Sequence, residues 1–116
     1  MEIVARQGDL LLVKSPAGTQ PATQLVKPEQ GRLILLRGEA TGHHHSMEAG
    51  AAEFRSFVAD DRPSILEGLI IGTLDVKQPT DLVHIGHHDP IPVAPGLYFV
   101  VQQREYRRDE IRRVMD

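Results

Sequence analysis

Short apolar runs, each cut off by glycine, proline or charge, recur along the whole chain, and this rhythm predicts strands in place of helices. Residues 3–5 and 10–13 read as strands on either side of the turn Gln7-Gly8-Asp9, because branched and aliphatic side chains suit a pleated surface and Gly-Asp does not. Further strands are expected at 33–36, 53–58, 69–76, 82–85 and 97–101. Residues 77–81 have the length and chemistry of a hairpin connection, and Ala94-Pro95-Gly96 has the composition of a type II turn. The proline-bearing stretch 15–28 reads as an exposed loop or edge segment, 59–63 as a turn, and 64–68 as one helical turn. In the charged C-terminal tail, 104–116, the i, i+3, i+4 spacing of Ile111, Val114 and Met115 predicts a short terminal helix. Many short strands with little helix make the expected fold mainly β, a small single-domain barrel or two-sheet sandwich over residues 1–116.

Composition narrows what such a domain does. A chain of 116 residues suits one core, and no stretch approaches the roughly 20 consecutive apolar residues of a membrane span. The start MEIVARQGDLLLV has no basic region ahead of an apolar core, so a cytoplasmic protein is expected. Cysteine is absent, which removes disulfides, thiolate metal sites and a cysteine nucleophile together. Any metal must then use His, Asp or Glu. A net charge of −3 argues against broad binding to a nucleic-acid backbone, and aromatics at 4% supply few stacking platforms for bases.

The candidate chemistry lies in the histidines. All six fall in two windows, 43–45 and 84–88. On an extended backbone His43 and His45 point to one face and His44 to the other, so the first two form a chelating pair whose neutral ring nitrogens could converge on one divalent cation. Glu39 or Glu48 could add an oxygen, and His84, His87 and His88, at a strand end and its glycine-containing turn, are the expected complement. Two imidazoles, one from each window, could also act without metal as general base and acid. The competing expectation is a solvated polar loop.

The run Gly38-x4-His43-x-His45-x2-Glu48, followed by Ala94-Pro95-Gly96-Leu97-Tyr98-Phe99, resembles a degenerate pair of cupin motifs. That resemblance implies one divalent metal inside a small barrel. The glutamate spacing is shorter than usual, and Phe99 stands about where the cupin histidine would be, so His84, His87 or His88 would replace it. Over most of its length the chain also resembles small uncharacterised bacterial and phage proteins. The shared pieces are Gln7-Gly8-Asp9, the segment 38–45, a later histidine-rich turn, Pro95-Gly96-Leu97-Tyr98 and Gln103-Arg104-Glu105-Tyr106. This second resemblance implies a bacterial or phage origin and a barrel-like domain, with no activity attached.

Two function classes follow. The first is a metal-dependent hydrolase acting on a phosphate ester, with His43, His45, His84, His87 and His88 as metal ligands and Glu48 and His88 as catalytic groups. The second is a non-catalytic binding or assembly module, compatible with a homo-oligomer, whose histidines sit at an interface. In the tail, Arg107 and Arg108 beside Tyr106 are the candidate nucleic-acid contacts, although interleaved acidic residues favour a solvated face there.

Overall fold

The apolar run at 10–13 has no polar alternation because it forms a strand covered on both faces. The computed structural model describes residues 2–38, 42–86 and 89–103, which build two antiparallel sheets packed face to face. The larger sheet joins β1 (Ile3–Gln7), β2 (Leu10–Lys14), β11 (Gly96–Gln103), β8 (Gly68–Val76), β6 (Ala52–Ser56) and β3 (Gln24–Leu25) in that order, with β7 (Ser64–Ile65) paired to β8. The smaller runs β10 (Ile91–Val93), β9 (Thr80–Ile85), β5 (His44–Glu48) and β4 (Arg32–Arg37). The two ladders remain separate, so the fold is a sandwich and not a closed barrel.

Leu10 and Leu12 of β2 face the smaller sheet and share the main core with Leu33, Met47, Leu74 and Leu82. Leu11 and Val13 face the other way into a second cluster with Ile70 and Val101, packed by Phe57, Ile65 and Phe99. That outer cluster corrects the expectation of a helical turn at 64–68. Ser64–Ile65 is a strand that places Ile65 on the cluster, Leu66 and Glu67 then turn with positive φ, and a turn of 3-10 helix lies earlier, at Ala59–Asp61, as another does at Ala49–Ala51. Gly96 departs from its expected turn role as well, since it opens β11 at φ 155°, far from the roughly +80° of a type II turn.

Gly72 marks the tightest packing. A methyl group there would overlap the Arg55 carbonyl oxygen on neighbouring β6 and lie 2.5 Å from the Phe54 ring. Neither can withdraw, because β8 is hydrogen-bonded on both sides. Gly72→Ala is therefore expected to cost about 2 kcal/mol, as overpacked cores do, read as a lower urea midpoint at unchanged slope.

Candidate functional site

One end of the sandwich gathers the turn between β1 and β2, the start of β5, and the ends of β9 and β11. The β1–β2 connection is a two-residue turn, Gly8-Asp9, in which Gly8 takes φ +58° and Asp9 does not have positive φ. A glycine at the first central position is what a type II′ hairpin turn asks for. Because Gln7 pairs with the inward-facing Leu10, its side chain points inward too, and it is buried.

Strand β5 supplies the first histidine window and β9 the second. His45 and His84 are cross-strand partners, and their rings stack with centroids 3.9 Å apart and planes inclined by 19°. Two residues further along, His43 lies against Gly86, where an added Cβ would come within 2.7 Å of the imidazole. Glycine at φ +101° thus gives the His43 ring its seat. Both windows meet across this strand pair. The alternation within β5 also holds: His45 is only 2% exposed and faces Gln7, whereas His44 faces away toward Arg32, Arg37 and Glu29.

The protonation geometry of His45 follows from Gln7. The Gln7 amide nitrogen donates to the carbonyl oxygens of Leu82 at 3.1 Å and Asp89 at 3.2 Å. Carbonyls only accept, so the amide oxygen must be the atom that faces His45 Nδ1, at 2.8 Å. Nδ1 then carries a hydrogen and donates it. In the neutral ring the lone pair is left on Nε2, which lies 3.7 Å from Asp9 Oδ1. Asp9, about one-third exposed, stands at the mouth of the site, and its other oxygen accepts from Gln102 Nε2 at 3.4 Å. The backbone closes the same end through Gln103 N–H donating to the Asp9 carbonyl at 2.7 Å.

Of the expected site residues, the structure brings together His43, His45 and His84. It does not bring Glu48 to them. Glu48 is three positions from His45 and therefore on the opposite face of β5, exposed, opposite Arg32 in register. There it lines a separate outer groove with Arg32, Asp81 and Pro92. His87, His88, Glu39, Arg107, Arg108 and the expected terminal helix lie outside the described residues. Phe99, at the cupin-like histidine position, packs against the outer cluster, on the far side of the larger sheet from His45. Among the described residues no group of three His, Asp or Glu side chains is placed to hold one metal ion. The stacking agrees with this, since near-parallel rings send their in-plane lone pairs alongside one another, whereas metal–nitrogen bonds of about 2.0–2.1 Å need them to converge.

Sequence reading missed Gln7, Asp9 and Gln102. A usable signal existed for the first: a Gly-Asp two-residue turn pairs position 7 with position 10, so a glutamine there shares the inward face with leucine.

His44 gives a pH prediction. Burial first, then the charges of Arg32 and Arg37, lower its pKa below 6.5, with Glu29 partly opposing them. Below about 6.5 the unfolded chain binds the proton more readily than the folded one, so this group subtracts stability as pH falls and has no effect well above it. Urea unfolding at pH 8 and about pH 5.5 is expected to show lower stability in acid, and His44→Gln to flatten that dependence.

Among comparisons with known proteins, the model of a domain of unknown function, DUF8820, matches residues 6–103. That span covers the sandwich from the end of β1 to the end of β11. No curated protein and no solved structure matches the chain. Among the described residues no helix is long and apolar enough to cross a membrane.

Proposed function

This chain belongs to the DUF8820 family, and we propose that the histidine end of its sandwich is an acid–base site that hydrolyses a small phosphate ester. The observation that carries this reading is the stack of one imidazole from each histidine window, with one of the two fixed as the Nδ1–H tautomer. With Nδ1 committed to Gln7, His45 exchanges protons at Nε2, where the Asp9 carboxylate faces the imidazolium that forms. His84, against the same ring, is the second acid–base group. Two imidazoles at neutral pH can take a proton from attacking water and return one to the leaving oxygen, and each such transfer is worth about 10²–10⁴ in rate.

The test is turnover of 4-nitrophenyl phosphate and bis(4-nitrophenyl) phosphate by tag-free protein across pH 5–9. A bell-shaped profile that disappears in both His45→Gln and His84→Gln supports the reading. Equal background rates for all three proteins contradict it.

One observation favours a second version of the same site. His45 Nε2 and Asp9 Oδ1, 3.7 Å apart, are near enough to share a single divalent cation as two of its ligands. Near-stoichiometric metal by elemental analysis, with unfolding that moves to lower temperature on chelation, would select it. His44→Ala would then spare metal binding and His45→Ala abolish it.

A further inference from the structure

A cleft of about 240 Å³ opens between β4, at the edge of the smaller sheet, and the β6, β8 and β11 strands of the larger one. Its floor is apolar, made by the core residues Leu35, Phe54 and Ile71, while Arg37, Glu29 and Arg62 stand at its rim. Two of the three rim charges cancel, because Arg37 is ion-paired with Glu29. Arg62 is in no ion pair among the described residues, and its Nε is buried with no hydrogen-bond partner there. A desolvated guanidinium donor without an acceptor costs free energy that an anionic ligand would restore through charge-assisted hydrogen bonds.

Gln102 connects this cleft to the histidines. It lines the cleft, and its Nε2 donates to the Asp9 carboxylate that faces His45 Nε2. Apolar floor, single uncompensated cation and a polar link to the acid–base pair occur in one continuous stretch. We infer that the cleft between the sheets is the ligand pocket of this site and takes a small organic anion, its apolar body on Phe54 and Ile71 and its acidic group on Arg62. The volume, below the range of about 300–1,000 Å³ for drug-sized ligands, limits the body to a single ring or a short branched chain. For what happens to the ligand the inference rests on the acid–base reading, but binding itself does not depend on it.

The experiment uses phenyl phosphate, with inorganic phosphate and phenol as its two halves, and follows binding to the full chain by calorimetry and by NMR shifts of Phe54 and Ile71. Phenyl phosphate is expected to bind at least tenfold more tightly than either half and to shift both residues. Arg62→Gln should weaken it tenfold or more, while His45→Gln leaves it within twofold. Ser56→Phe, which narrows the cleft from β6, gives an independent loss should Arg62→Gln unfold the protein. Binding of this kind without turnover upholds the pocket and overturns the acid–base reading. Phenyl phosphate that binds no better than phosphate, that leaves Phe54 and Ile71 unshifted, or that is indifferent to both variants overturns the pocket, whatever the turnover.

Discussion

Gln7→Leu is expected to lower the unfolding free energy by about 3 kcal/mol, because it removes three hydrogen bonds at about 1 kcal/mol each. They run from His45 Nδ1–H to the Gln7 amide oxygen and from the Gln7 amide nitrogen to the carbonyls of Leu82 and Asp89. The more exposed carbonyl of Asp89, which also loses its donor, can turn to water. For a domain of about this size the loss corresponds to a melting temperature lower by roughly 12–20 °C. The side chain also ties β1 to β5, β9 and the segment before β10, so one amide clips the two sheets together at the site end. Gln7→Glu separates the roles: it keeps an acceptor for Nδ1 and loses the donor to the carbonyls. Thermal unfolding of the two variants, together with amide exchange at the β1–β2 turn, measures the effect. A change below about 0.5 kcal/mol, the scale of an ordinary surface substitution, would contradict the role assigned to Gln7.

The largest effect on activity is expected at His45. His45→Gln should reduce phosphate-ester turnover by about 10²–10⁴, the contribution of a positioned general base, while phenyl phosphate binding persists. Asp9→Asn should fall between this variant and the wild type, because Asp9 acts on the charged ring from 3.7 Å and does not touch Nδ1. Single-turnover rates over pH separate the two. Loss of the limb assigned to Nε2 marks the base, whereas a rate reduced at every pH with unchanged shape marks a residue that only holds the site in place.

Much of the fold was legible in the sequence, for physical reasons that also explain the failures. Branched and aliphatic runs bounded by glycine, proline and charge located the long strands, and the Gly-Asp turn located the first hairpin. Strand β7 was not legible. Its two residues gain their structure from pairing with Leu69 and Gly68 and from covering the outer apolar cluster, a tertiary cause that local propensity does not contain. At the site, alternation correctly separated His44 from His45, and clustering marked both windows. The role of Glu48 was misjudged by parity: spaced by three on a strand, it faces away from His45. The most informative polar residue, Gln7, looked like part of a turn because its importance comes from register and not from composition.

In the proposed site Gln7 fixes His45 as the Nδ1–H tautomer and leaves proton transfer to Nε2. Nitrogen-15 NMR of the imidazoles, taken where the ring is neutral, tests it most directly. A slowly exchanging proton on His45 Nδ1, an unprotonated Nε2, and loss of this asymmetry in Gln7→Leu are expected. A proton on Nε2 in the wild type, or two nitrogens that share it as a solvated imidazole does, would contradict it.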